Sequence, residues 1–400
     1  CVNDDKCDYQ FNAPFTAWDD VLGGGSYNDR PEGAPFFYVK NYYTTHESRI
    51  WLRKNKPLTV LPEDVPVPDY FPDLPEVRQG IARKYSNIEA LDKEVGELLN
   101  ELERDGVLEN SIIFFWSDHG GNLLRQKRAV GNSGLNVPLI IRYPDGFREG
   151  QTDDRMVSLM DLGPTVMSLL NIEPPMYMDG KSFAGKFEKP PRQYIFGSAD
   201  RFDESTDMQR SVLDGRFVYI RNFMPELPLI YRNKYREQIT MNKLLIDLNQ
   251  NGDLQGDASY IFMSKKPTEE LYDLNSDPYE VNNLAKNKDF KYKLLELRKQ
   301  LENWQIEVDD RGFTPESKII NEFWPNMIQP VTSDVSIDIS NNEISLNCNT
   351  EGASIGYQTD EKIGTNYWQL YSKPLKLEKI EKIRARAIRI GYKASRITSN

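Results

Sequence analysis

The sequence predicts an α/β protein with a mostly parallel sheet and flanking helices, followed by a smaller α+β antiparallel layer and an all-β tail. Three observations carry this. Residues 111–116 (SIIFFW) form a short apolar, β-rich run, as expected of a strand buried on both faces. A stripe at helical spacing (Val77, Ile81, Tyr85, Ile88, Leu91, Val95, Leu98, Leu102) leads into that run. Helix–strand alternation of this kind implies a parallel sheet. Two further short apolar runs, 35–42 and 137–143, read as its other buried strands.

In chain order, residues 1–30 are polar and turn-rich, with three glycines at 23–25. Six prolines between 57 and 75 exclude helix there and predict an extended surface loop. The long helix begins near Glu76 and ends at Asp105-Gly106. Asp161 opens another helix, with Pro164 in its first turn. Beyond about 190 the signals turn antiparallel: a strand at 193–197, a hairpin over 211–220 closed by Asp214-Gly215, and a strand at 270–274. A helix carrying Phe290, Leu294, Leu297, Leu301 and Trp304 on one face should pack on that small sheet. Past Pro325 and Pro330 short alternating strands predict a β-sandwich module. Its phase slip between Ile383/Ala385/Ala387 and Ile388/Ile390/Tyr392 suggests a β-bulge. The predicted organisation is 1–190, 191–325 and 330–400.

Composition narrows the function. Four hundred residues exceed one ordinary core, and 39% hydrophobic residues suffice to fill two or three. The net charge of −11 argues against a nucleic-acid binder, and no run is long enough for a membrane span. Cys1, Cys7 and Cys348 give neither a disulfide framework nor zinc spacing. Cys1 and Cys7 could pair, although unpaired thiols are the simpler reading. The chain lacks an initiating Met and a signal peptide, so it is read as processed or cut; a lipidated Cys1 is the other option.

The chemistry concentrates after two strands. The 111–116 run enters Ser117-Asp118-His119-Gly120-Gly121, with the glycines expected to turn the backbone sharply. Carboxyl ends of strands are where open α/β sheets bind ligands, and Asp118 with His119 suits a divalent cation beside an anion. The chain has two histidines, and the other, His46, also sits just past an expected strand end. Arg125, Lys127 and Arg128 place three cations within four residues of an acidic protein, a focused anion site.

These segments resemble the formylglycine-dependent sulfatases of the alkaline-phosphatase-like superfamily. Ser117 to Gly121 resembles the family's metal motif, 124–128 with Gly134 and 137–140 the segment carrying the sulfate-contacting lysine, and 35–48 the strand delivering an active-site histidine. Residues 161–165, 270–274, 277–280 and 283–285 resemble later signatures, and the likeness covers roughly 1–310. The tail is similar to the chitobiase-type C-terminal β-domains of carbohydrate-active enzymes. The resemblance implies an alkaline-phosphatase-like fold and hydrolysis of sulfate esters on a sulfated saccharide, in the periplasm or outside a bacterial cell. It implies Ca2+ bound by Asp118 and His119, with Lys127 and His46 acting on the sulfate. Arg125, Arg201, Asp203 and Arg210 are the candidates for substrate binding. An oligomer is left open.

The family nucleophile, a cysteine within Cys-x-Pro-Ser-Arg that becomes formylglycine, has no counterpart here, and neither do the upstream paired aspartates. The chain is therefore read as an N-terminally truncated sulfatase with an incomplete sheet, inactive as it stands. Two alternatives are a phosphodiester or phosphonate hydrolase of the same superfamily and a non-catalytic glycan-binding protein.

Overall fold

The computed structural model describes every residue except 5, 7, 8, 10, 22–24, 366 and 377–379. Any Cys1–Cys7 contact therefore lies outside the described residues. The chain divides into two units, one of Cys1–Tyr42 with Phe313–Asn400 and the other of Tyr43–Gly312.

In the first unit β1 (Val2–Asp4) lies between β2 (Asp20–Val21) and β3 (Tyr38–Lys40), all parallel. The strand expected over 35–42 is thus present, but short and only partly buried. The tail forms two sheets. One joins Ser336–Ser340, Glu343–Asn347 and Leu375–Lys376; the other joins Gln369–Leu370, Ser354–Thr359, Ile383–Ile388 and Thr398–Ser399. Val335, Ile344, Leu346, Tyr357, Ile383, Ala385 and Ala387, drawn from both, make one core. The expected bulge is absent from the pairing of Ile383–Ile388. That strand stops at Ile388, and a turn closed by Tyr392 N–H to Arg389 O follows, with Gly391 at φ +84°. The phase slip in the sequence marks that exit.

The larger tail sheet is covered by the chain itself. The Phe15 ring lies 5.4 Å from Trp368, with the Arg386 guanidinium 4.5 Å above it. A Cβ on Gly356 would come within 2.6 Å of Phe15, so this approach requires glycine.

In the second unit the expected long helix runs over Pro75–Arg104. It buries Val77, Ile81 and Ala82 against Ile239, Met241 and Leu245. The Met241 sulfur passes so close to Gly80 that any Cβ there would clash. The proline-rich loop before it does more than cross the surface, since Val65, Tyr70 and Phe71 are buried in the same core. β4 (Ile113–Trp116) departs from the parallel, doubly buried expectation. It pairs antiparallel with β5 (Leu139–Arg142) in a two-stranded ribbon, partly buried, with Ile140 62% exposed. Gly120 and Gly121 are absent from the positive-φ residues and serve close packing instead. A Cβ on Gly120 would lie 2.0 Å from Ser133 O, and one on Gly121 2.0 Å from Gln126 Oε1.

The antiparallel layer matches expectation. β6 (Ile195–Phe202), β7 (Ser205–Leu213), β8 (Phe217–Asn222) and β9 (Glu269–Asp273) follow one another in the sheet. Asp214-Gly215 closes the β7–β8 turn: Gly215 has φ +95°, and Asp214 Oδ1 accepts from the Arg216 and Phe217 N–H groups. The helix Lys291–Glu307 lays Leu294, Leu297 and Leu301 on Val212, Tyr219 and Leu271. Trp304 stacks on Phe196 at 4.9 Å.

Leu297 is wholly buried at the centre of that contact. We expect Leu297→Ala to lower stability by about 2–5 kcal/mol in urea unfolding followed by circular dichroism; a loss below about 1 kcal/mol would contradict this packing.

Candidate functional site

Two loops of the second unit come together. Asn122 Nδ2 donates to Thr45 O at 2.9 Å, and Lys127 N–H donates to Gly121 O at 2.8 Å. The first contact ties the loop after β4 to the turn holding His46 and Glu47; the second folds the cationic segment back onto that loop. Gly120 N–H donates to Gly134 O at 2.8 Å and pins its far side.

At the meeting point lies Glu47, which the sequence reading passed over. Its carboxylate is 1% exposed and has Lys127 Nζ at 3.2 Å, Arg128 Nη2 at 3.0 Å and Arg236 Nε at 4.0 Å. Burial pushes this carboxyl up, but hydrogen bonding from Arg128 and the charges of Lys127 and Arg128 outweigh burial and hold it below the ordinary glutamate value. Arg128 also reaches Asp203 Oδ2 at 2.9 Å, and Asn233 Nδ2 donates to the same oxygen at 2.7 Å.

The two histidines are held in opposite tautomers. At His46, Nδ1 accepts the Ser48 backbone N–H at 3.3 Å, with Ser48 Oγ at 2.9 Å. A backbone N–H can only donate, so neutral His46 carries its proton on Nε2. At His119, Nδ1 faces Gly120 O at 2.7 Å, and a carbonyl can only accept. Neutral His119 therefore keeps its proton on Nδ1 and has its Nε2 lone pair on the side of Asp118, with Nε2 3.6 Å from Oδ1. The two neutral rings thus carry their protons on different nitrogens.

Beside a carboxylate oxygen, the His119 lone pair makes a two-donor cradle whose electron-rich atoms favour a cation between them. The donor set thus fits a divalent cation in part. Among the described residues no group of three or more His, Cys, Asp or Glu is placed to hold a metal ion.

The other sequence candidates divide. Asp203 joins the site through Arg128. Arg201 is exposed near the end of β6, opposite Thr206. Arg125 and Arg210 both have protein partners. Arg125 is buried, donating to Tyr279 O at 2.7 Å and to Glu280 O, with its guanidinium over Tyr70. Arg210 is 1% exposed and paired with Asp310 at 2.7 Å and Asp200 at 2.9 Å. Both guanidiniums are held by protein carbonyls or carboxylates, and Arg125 also lines the cavity beside Lys127. The 277–280 turn, singled out as a signature, proves to be a brace: it takes Arg125, and Glu280 Oε1 accepts the Asn132 N–H at 2.8 Å.

Lys127, Arg128, Asn233 and Arg236 line one side of a cavity of about 80 Å³. Glu47 had one sequence signal, its place next to His46. Arg236 had none, lying far along the chain from every motif.

Glu47→Gln should destabilise the chain by about 3–5 kcal/mol at neutral pH, because it leaves buried cations without their counter-charge. Since the folded carboxyl is held below its unfolded value, this contribution is fully present above the ordinary glutamate range and fades as pH falls through the lowered value. Denaturant unfolding of both proteins from neutral pH to pH 3 checks this; a gap that widens on acidification would contradict it.

Comparison with known proteins places the chain. The Sulfatase family model matches residues 5–172. An ulvan-active sulfatase of Formosa agariphila is 38% identical, over 99% of this chain and 73% of that protein. The N-sulphoglucosamine sulphohydrolase of Homo sapiens is 28% identical, over 68% of this chain and 57% of that protein. Among solved structures, a 2-O GAG sulfatase aligns at 18% identity and TM-score 0.46, over 74% of this chain and 61% of that one. With a relative at 38% identity along nearly its whole length, this chain belongs to the sulfatase family.

Proposed function

We propose that this chain binds a sulfated saccharide as part of a sulfuric ester hydrolase, with the sulfate held between Lys127 and His46. The observation carrying this is the pair of opposed tautomers beside a cationic loop. His46 carries its proton on Nε2, the state in which that nitrogen is a donor, and Lys127 supplies charge from a partly exposed position. One relative is named for ulvan and another for N-sulphoglucosamine. A periplasmic or secreted setting belongs to the same reading. No helix among the described residues is long and apolar enough to cross a membrane.

Asp118 and His119 would hold the divalent cation, for which we propose calcium. Bound there, it would neutralise charge on the sulfate. Calcium favours oxygen donors, so an imidazole and one carboxylate should bind it weakly, on the order of 10⁻⁴–10⁻³ M. The chain's own part is to orient the sulfate through Lys127 and to give a proton from His46 Nε2 to the departing sugar oxygen. Within these 400 residues no cysteine sits in Cys-x-Pro-Ser-Arg, so none supplies formylglycine. The reading is therefore binding without turnover. The glycan-binding alternative would look to the tail, but the aromatic face of its larger sheet packs on Phe15.

Two measurements check this. In calorimetric titration a sulfated saccharide should bind the 400-residue chain, with affinity falling at least about tenfold in Lys127→Ala. Equal affinity for a phosphodiester analogue would favour the phosphoryl-ester alternative, and binding untouched by Lys127→Ala would defeat the proposal. With an aryl sulfate and calcium, no product should form; saturable turnover would show that another group serves as nucleophile.

A further inference from the structure

The cavity beside Lys127 holds a cation that the sulfate reading does not use. Arg236 is 6% exposed, so its guanidinium is almost wholly removed from water. Nη2 donates to Leu123 O at 3.1 Å, which fixes the plane of the group. Among the described residues its Nε has no hydrogen-bond partner, and the paired carboxylate oxygen, Glu47 Oε2, is 4.0 Å away, beyond hydrogen-bonding range. That carboxylate already serves Lys127 and Arg128 more closely. Burial, and then the like charge of Arg128, push the Arg236 guanidinium down to about 10. A buried donor left unmatched beside another cation is costly, and an anion entering the cavity would relieve both penalties.

We infer that Arg236, with Arg128 and Asn233 beside it, is a second anion-binding point that reads a further carboxylate or sulfate on the same saccharide whose sulfate ester sits at Lys127. This rests on the sulfated-saccharide reading above. At about 80 Å³ the cavity has room for a carboxylate or sulfate group. Position supports a shared ligand, because Lys127 and Arg236 line the same cavity and flank the same Glu47 carboxylate. The remaining wall is selective in kind. Phe202, Leu229 and Ile230 give apolar surface and Arg125 a further cation; the wall's carboxylates are already engaged, Asp207 by Lys266, Glu270 by Asn222 and Glu280 by the Asn132 N–H. The substrate class is thus a saccharide with at least two negative charges, one hydrolysable and one read.

Calorimetric titration of the full 400-residue chain tests this with four probes: a neutral saccharide bearing one sulfate, its uronate counterpart with the same sulfate, its disulfated counterpart, and the uronate without sulfate. The native protein should bind at least one doubly charged probe about tenfold or more tightly than the neutral monosulfate. Whether the uronate or the disulfate shows the gain names the second anion. Arg236→Gln should erase that gain while leaving affinity for the neutral monosulfate within about twofold, and Arg236→Lys should keep part of it. Circular dichroism establishes that each variant is folded; if Arg236→Gln is not, the native comparison and Arg236→Lys decide. Equal affinity of native protein for singly and doubly charged probes overturns the inference, as does a uniform loss for all probes in a folded Arg236→Gln. Unsulfated uronate separates the two readings. If it binds through Arg236 while sulfate adds nothing, the anion point stands and the sulfate reading falls. If sulfate alone binds, the reverse holds.

Discussion

A carboxylate taken out of water is tolerated only where positive charge meets it, and Glu47 is that carboxylate here. Its counter-charges come from Lys127 and Arg128 in the loop after β4, with Arg236 further off in a later segment. One buried acid therefore organises three separate stretches of chain. Arg128 extends the network to Asp203, at the tip joining β6 and β7, so the antiparallel layer is joined to the same point. Without the acid, three cations would share a low-dielectric site with only Asp203 left in the network. With it, one cation, Arg236, is left partly unmatched.

The chemistry of the two histidines follows from backbone, not from titration. His46 meets an N–H and His119 meets a carbonyl, and those two groups have no choice about donating or accepting. The loop carrying His119 is in turn held by close approaches that only glycine allows, at Gly120 against Ser133 O and at Gly134, where a Cβ would lie 2.2 Å from Ala129 O. Arg125 locks its middle to the 277–280 turn. These contacts fix the loop's path and with it the surroundings of His119.

Arg125 and Arg210 show what charge read along a chain leaves out, namely the partners each guanidinium meets in the fold. Both stand among motifs, and an arginine is usually surface-exposed. Here each is a buried strut, one across carbonyls and one between two aspartates. The planar guanidinium fork suits such bracing as well as it suits substrate recognition.

Much was legible beforehand. The β7–β8 hairpin, the Pro75–Arg104 helix, the Lys291–Glu307 helix and the tail strands are written in periodicity and turn residues, because each depends on neighbours a few positions away. His46, His119 and Lys127 stood out by residue type, and the motifs around them pointed to the sulfatase family. The direction in which β4 pairs was not legible, since an apolar run is equally at home in either ladder. Nor were the burial of Glu47, the unmatched guanidinium of Arg236 or the two tautomers. Sequence alone determined the elements and the kinds of functional group they carry. Tertiary structure decided which charges meet, which are left over and which ring atom holds the proton, because those outcomes depend on groups brought within a few ångströms by folding.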